Sequence, residues 1–322
     1  MQSLLQTLSS MHLELAGLLA LASLDHVAHR TAIKGTSSLL DIFVIAPGMH
    51  RQLRASDLSK GEFPACAAMT TGYVFRVENE ATVLYLQNVG RTGHLTTLTV
   101  KDRSKHRRPD VMSSVSYFSA ALLSIAVLYT LLTRQDWYAV SSIVFFMFAR
   151  LANTTCIKRR ATPGWFGQSE HGVKSALLVL LSRDRWVRIE GDTDDVKAVT
   201  SGSWLREPTS LESTASSAAA LLVYLAAILV ANASTFGQLL ILVLLLGSAM
   251  LLGIANASTS VLSMKGRIIK VKSPPVEYTR RLALAKELVA EFKRTDCFVA
   301  MGMIQPSQEE ELQKSYKGAV VM

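Results

Sequence analysis

The sequence predicts an α-helical integral membrane protein, with four transmembrane helices arranged as two hairpins and a small mixed α/β domain on the cytosolic side. Three observations predict it: the apolar residues gather into long uncharged runs, the basic residues crowd the ends of those runs, and short turn-bounded or period-two segments fill the stretches between. With 322 residues, a positive mean hydropathy and only 18% charged residues, the chain is too apolar for an ordinary soluble domain.

In chain order, residues 1–110 come first. Met1 to Leu24 lacks a basic leader and carries His12 and Glu14, which argues against a cleaved signal peptide. A partly buried amphipathic helix is expected there, with a fifth span as the alternative. From Tyr73 to Val100 the segments YVFRV, TVLYLQ and HLTTLTV, separated by Glu78-Asn79-Glu80-Ala81 and by Asn88 to Gly93, predict a small antiparallel meander against which the N-terminal portion could pack.

Residues 111–157 form the first predicted hairpin. Val111 to Thr133 is 23 residues without a charge, long enough at about 1.5 Å per residue for a hydrocarbon core of about 30 Å. Trp137 to Ile157 follows, with an aromatic start suited to a membrane interface and one charge, Arg150, toward its far end, where it is expected to snorkel to headgroups. The second hairpin covers residues 213–264, a run of 52 residues without Asp, Glu, Lys or Arg. That length predicts two helices, with the break at Asn232 to Gly237. Small residues at fourfold spacing, Ser116-Ala120-Ser124 and Ala249-Gly253-Ala257, mark expected helix contacts within the chain.

Orientation follows from the flanks. Lys101 to Arg108, Lys158 to Arg160 and Lys265 to Lys272 are basic, whereas the two short connections on the other side carry only Arg134 and Asp136. The positive-inside rule then places both termini and the middle loop in the cytosol. The sequons at Asn153, Asn232 and Asn256 fall near the cytosolic side or in a tight turn, so no glycan is expected. The net charge of +9 belongs to these flanks and does not predict nucleic-acid binding. Cys66, Cys156 and Cys297 are far apart in sequence and are expected to be reduced thiols. The C-terminal Gly318 to Met322 matches no prenylation or retention signal.

In the middle loop, residues 158–212, Leu177 to Leu181 and Trp186 to Ile189 predict two strands around a turn at Arg183-Asp184. Asp192, Thr193, Asp194 and Asp195 predict the capped start of a short helix ending near Gly202. In residues 265–322, Pro274-Pro275 precedes an amphipathic helix expected from about Val276 to Phe292, followed by acidic residues at Glu309 to Glu311.

The blocks GWFGQSEHGV, LLVLLSRDRWVRIEG and DDVKAVTSGSWL resemble those of a family of uncharacterised multi-pass membrane proteins of filamentous fungi. The resemblance covers Arg150 to Leu205 and implies a fungal membrane protein, with no activity to carry over. Where that family usually has an acid before the Leu-rich run, this chain has Ser175-Ala176.

No Walker A loop, nucleophile elbow or dinucleotide fingerprint is present, and no cofactor or metal is expected. The Asp192, Asp194, Asp195 cluster lacks calcium-loop spacing and reads as a helix cap; His26 and His29 read as surface histidines. Arg183, Arg185, Trp186 and Arg188 are the candidate surface for a lipid headgroup or an acidic partner, because guanidinium groups fork onto phosphate and Trp favours interfaces. Set against it is a salt-bridged hairpin with a purely structural role. The leading expectation is therefore a membrane-anchored scaffold that docks membrane lipid or a cytosolic protein. The alternative is a transporter or membrane-bound enzyme with a boundary site built from Arg150, Asp184, Asp194 and Asp195, although no acid is foreseen within the bilayer.

Overall fold

A computed structural model describes residues 15–51, 55–102, 110–162 and 167–310. Positions 1–14, most of the first basic flank at 103–109, residues 163–166 of the resemblance blocks and positions 311–322, with the last residue of the acidic run, lie outside the described residues.

The elements in chain order begin with α1 (Leu15–Ala20), α2 (His26–Lys34), two 3-10 turns (Leu39–Phe43 and Met49–Arg51) and α3 (Ala55–Leu58). Then come β1 (Ala65–Ala68), β2 (Val74–Arg76), α4 (Glu80–Val89), β3 (His94–Asp102), α5 (Val111–Thr133), α6 (Trp137–Arg160), β4 (Lys174–Leu181) and β5 (Arg185–Asp192). The chain continues with α7 (Thr193–Thr200), α8 (Ser210–Ala231), α9 (Thr235–Ala257), β6 (Val261–Met264), β7 (Arg267–Val271), β8 (Val276–Glu277), α10 (Arg281–Phe292) and α11 (Asp296–Ala300). These gather into two compact units, neither continuous in sequence. The helical unit takes Met1–Ala55, Arg108–Thr162 and Leu205–Ser260; the sheet unit takes Ser56–Arg107, Pro163–Trp204 and Val261–Met322.

In the helical unit α5, α6, α8 and α9 are each long and apolar enough to cross a membrane. Their outward faces remain apolar, with Phe118, Leu122 and Tyr129 of α5 and Leu221 and Ile228 of α8 exposed. The most extensive packing joins α6 to α8 and α5 to α9. Caps stop the helices cleanly: Asp136 accepts from Ala139 N at 3.2 Å, Ser234 from Gly237 N at 3.1 Å, and Thr209 with Glu212 closes a capping box on α8. Asp136 Oδ2 also accepts from Ser234 N (3.0 Å) and Ser234 Oγ (2.5 Å), so one carboxylate ties the start of α6 to the start of α9.

The sheet unit is a mixed eight-stranded sheet in the order β2-β1-β4-β5-β3-β7-β6, with β8 also on β3. β3 and β5 run parallel, Leu95 beside Trp186, while β4 and β5 are the antiparallel hairpin predicted from the sequence. Period two gives the sheet two faces. Ala67, Leu95, Ala176, Leu178 and Trp186 form one core with Leu284, Leu288 and Val289 of α10 and with Phe298 of α11. On the other face α7 covers β5 and β3, and Thr82 of α4 donates to the Val199 carbonyl at 2.6 Å.

Several expectations are corrected. TVLYLQ lies inside helix α4: Asn79 caps it by accepting from Thr82 N at 3.0 Å, and burial of Ala81 to Leu86 on nearly every side gave a helix the continuous apolar run of a buried strand. Residues 1–110 are not one region, because those up to Ala55 join the helical unit and not the sheet. The uncharged run ending at Met264 leaves the helix after Ala257 and closes as strand β6. Val276-Glu277 is strand β8, so α10 starts only at Arg281. Of the two small-residue stripes, Ser116-Ala120-Ser124 is buried, whereas Ala257 is exposed and Ala249 and Gly253 are half-buried; on α9 the closely approached glycine is Gly247, where an added Cβ would lie 2.9 Å from Leu123 Cδ2. All three cysteines are free and buried.

A Cβ on Gly237 would stand 2.2 Å from Asp136 Oδ2. Gly237→Ala should therefore displace the carboxylate that joins two helix starts and cost about 1–3 kcal/mol, read as a lower melting temperature of the detergent-solubilised chain.

Candidate functional site

The β4–β5 hairpin turns on Arg183 and Asp184, both left-handed at φ 61° and 51°, the geometry of a tight primed turn. Its register decides which expected surface residues reach solvent. Trp186 falls on the α10 side, only 3% exposed, edge-on to Tyr278 with ring centroids 6.4 Å apart. Arg185 donates to the carbonyls of Ser182 and Gln87, both at 2.9 Å, and lies 3.7 Å from Glu62. Arg188 forks onto Glu291 at 2.7 and 2.6 Å, has Nε 2.7 Å from Glu190 and lies over the Phe292 ring at 5.1 Å. Burial alone would lower the Arg188 pKa, but the Glu291 bond and the adjoining carboxylates outweigh it and raise it. The expected surface of Arg183, Arg185, Trp186 and Arg188 is thus corrected: three of the four hold the unit together, and Arg183 alone stands exposed.

The three acids of the expected boundary site are not gathered at one place in the sheet unit. Arg150 belongs to the helical unit and the three acids to the sheet unit, where Asp184 and the Asp194-Asp195 pair stand at opposite ends of β5. Asp184 pairs with Arg281 and Asp195 with Arg267. Asp194 accepts from Ser169 Oγ at 2.6 Å and Glu170 N at 2.7 Å, and these bonds hold its carboxyl below the usual range. Asp192 occupies the N-cap position of α7 but its side chain makes no cap bond there. Among the described residues no three His, Cys, Asp or Glu side chains are placed to hold a metal ion.

The structure does gather a basic corner around Arg183. Gly93 N donates to the Asp184 carbonyl at 2.8 Å and Tyr278 N to the Gly93 carbonyl at 2.8 Å, so the hairpin turn, the α4–β3 loop and the β8–α10 loop are bonded neighbours. A cleft of about 410 Å³ adds Lys60 and Glu62 beside Arg183 and Arg185. Lys60, Arg91, Arg183, Arg280 and Arg281 are exposed there, and with Arg185 they face three carboxylates, Glu62, Asp184 and Glu277. Those acids are taken up by Arg185 and Arg281 in two cases, leaving Arg91, Arg183 and Arg280 without an ion pair among the described residues. Helix α10 starts at this corner with no acid in its first turn and no side-chain cap on its free N–H groups.

In the helical unit the sequence reading missed a buried polar layer. Arg150 does not snorkel: it is 2% exposed and its Nε donates to the Asp41 carbonyl at 2.9 Å. The Asp41 carboxylate accepts from Ser38 N at 2.7 Å and from the Tyr117 hydroxyl. Arg30 lies over the Tyr117 ring at 5.2 Å and donates to Ser113 Oγ (2.8 Å) and Thr259 Oγ1 (2.9 Å). An acid does stand within the bundle, contrary to expectation. The signal available in the sequence was one Asp inside the apolar run Leu39 to Ala46.

The chain matches no family model, no curated protein and no solved structure.

Tyr117→Phe removes a donor from a buried carboxylate and should cost about 1.5–3 kcal/mol, whereas Arg183→Ala on the exposed turn should change stability by less than about 0.5 kcal/mol; thermal unfolding of both variants checks the contrast. Acid should also weaken the sheet unit. Asp194 and Asp296, the latter bonded to Arg294, have pKa values below the ordinary carboxylate range. Their stabilisation is complete above about pH 4 and is lost as pH falls through the lowered values. Asp194→Asn should flatten that acid limb when unfolding is followed by tryptophan fluorescence.

Proposed function

We propose that the chain is a membrane-anchored docking protein. Its four long helices cross the bilayer as two hairpins, the ends of α6 and α9 face the cytosol, and the sheet unit works on that side. The charge asymmetry of the flanks supports this orientation, with basic residues at Lys158 to Arg160 and Lys265 to Lys272 and only Arg134 and Asp136 between the helices of each pair. The family resemblance of Arg150 to Leu205 supports grouping it with fungal multi-pass proteins.

One observation carries the docking reading: Arg91, Arg183 and Arg280 project from three mutually bonded loops with no carboxylate partner, while Arg185, Arg188, Arg206, Arg267, Arg281 and Arg294 each have one. Exposed guanidinium groups brought together on rigid loops repel one another and suit a ligand that supplies several negative charges at once. An acidic protein segment is the partner this corner fits, since the three cations lie on separate bonded loops, Arg183 also lining the cleft, and not along one amphipathic face of the kind that lies on lipid. The rival boundary site loses support, because Asp184 and the Asp194-Asp195 pair are apart and each is engaged within the sheet unit.

Triple charge reversal, Arg91→Glu, Arg183→Glu and Arg280→Glu, should weaken binding of a fluorescent oligoglutamate peptide to the solubilised full chain at least tenfold at low salt, with the melting temperature unchanged. Equal binding by the variant sinks the proposal. Loss of binding to anionic vesicles with peptide binding intact would reassign the corner to lipid.

A further inference from the structure

The placement of α1 bears on a question that the composition of Met1 to Leu24 left open. α1 packs against both α8 and α9, and Ala20 is fully buried in the core that holds Val230, Ile241 and Leu244. Its depth is fixed by Gly17, where an added Cβ would lie 2.5 Å from the Ala227 carbonyl oxygen. Ala227 stands four residues before the end of α8 at Ala231, next to the α8–α9 turn. Nine residues later the chain is near the opposite end of the same helices: a Cβ on Gly253 would lie 3.7 Å from His26 Cε1, and Asn256 Nδ2 donates to the His26 carbonyl at 2.9 Å. α9 ends at Ala257. At about 1.5 Å per residue, those positions are separated by roughly 20 Å along the helix axes, most of the way through a hydrocarbon core of about 30 Å.

We infer that Leu15 to Leu24 is a fifth membrane-embedded segment, entered at residue 15 from the face opposite to the ends of α6 and α9. The charges fit. No Lys or Arg occurs before Arg30, and Arg30 and Lys34 follow directly where the segment reaches the end of α9. A segment free of basic residues at one end and followed by two at the other obeys the positive-inside rule with its start outside the cytosol. The next stretch keeps the same character: Leu39, Leu40 and Phe43 are exposed on the outer side of the helical unit while Asp41 turns inward to Tyr117, the arrangement expected of non-helical backbone packed among spans. The consequence is an odd number of crossings.

This inference rests on reading α5, α6, α8 and α9 as spans with cytosolic ends at Arg160 and Ala257, and the test separates the two. The full chain is made in sealed microsomes with an epitope tag containing a glycosylation sequon at the N-terminus, at the open turn of Gly172, or at the C-terminus. The expected result is glycan addition and protease protection at the N-terminal tag only, with both other tags cleaved and unmodified. Cleavage of all three without glycan overturns the fifth segment and leaves the four spans standing. A Gly172 tag and a C-terminal tag on opposite sides would overturn the span reading itself. A second measurement does not depend on tags: Leu18→Cys, on the exposed side of α1, should react with a lipid-soluble maleimide in sealed microsomes and resist a membrane-impermeant one, and ready reaction with the impermeant reagent in a chain that still melts cooperatively removes the depth assignment.

Discussion

A buried charge has to be answered from within the protein, and in the helical unit that requirement is met at Arg150. Its guanidinium is out of reach of water, and leaving such a group unanswered in a low-dielectric interior costs several kcal/mol. One acceptor is the carbonyl of Asp41, from a segment more than a hundred positions earlier in the chain. That single demand pulls Leu39–Phe43 into the bundle. Asp41 then brings its own requirement, met by Tyr117 and Ser38 N, and Asn153, one turn beyond Arg150, takes the Met49 carbonyl at 3.0 Å. Tyr117 of α5 and Arg150 and Asn153 of α6, through their bonds to Asp41 and Met49, therefore hold a non-helical stretch in place among apolar helices.

The sheet unit solves a different problem, that of building one domain from three stretches of chain divided by long apolar helices. Its central strand β3 comes from the first stretch, β5 from the second and β7 from the third, and β3 carries the other two on its opposite edges. No pair of stretches makes the core alone, since Leu95, Leu178, Trp186 and Leu288 meet only when all three are present. The parallel register of β3 on β5 is thus the joint on which this unit depends, and parallel pairs of distant sequence are held by side-chain packing more than by any local turn. Arg188 reinforces that joint from above by bridging Glu190 on its own strand to Glu291 on α10.

How much of this was legible follows from the range of each signal. The four long helices and the Arg183-Asp184 hairpin were readable because length, uncharged runs and turn chemistry are local properties. α4 was misread because a helix buried on nearly all sides loses its 3.6-residue period, and Thr82 to Leu86 then resembles a strand. The role of Arg150 was misread for the opposite reason: position along a helix says how far the charge is from the interface but not what stands beside it. The same holds at the candidate corner, where Arg183 and Arg188 look equivalent in sequence and differ because Arg183 sits in the turn between the strands while the pleat of β5 aims Arg188 toward Glu291.

That difference bears on how basic chains are to be read. Of the positive charges in the sheet unit, Arg188 and Arg281 answer carboxylates and hold helix to sheet, so removing them acts on stability; Arg91, Arg183 and Arg280 have no ion pair among the described residues. Mutual repulsion among exposed guanidinium groups is a standing cost, small in salt but without any compensating bond in the free protein. A surface that bears this cost on three bonded loops, next to an uncapped helix start, gains stability only when negative charge arrives from outside. The distinction between paired and unpaired arginines, and not the total of +9, is therefore what separates a structural charge from one available to a partner.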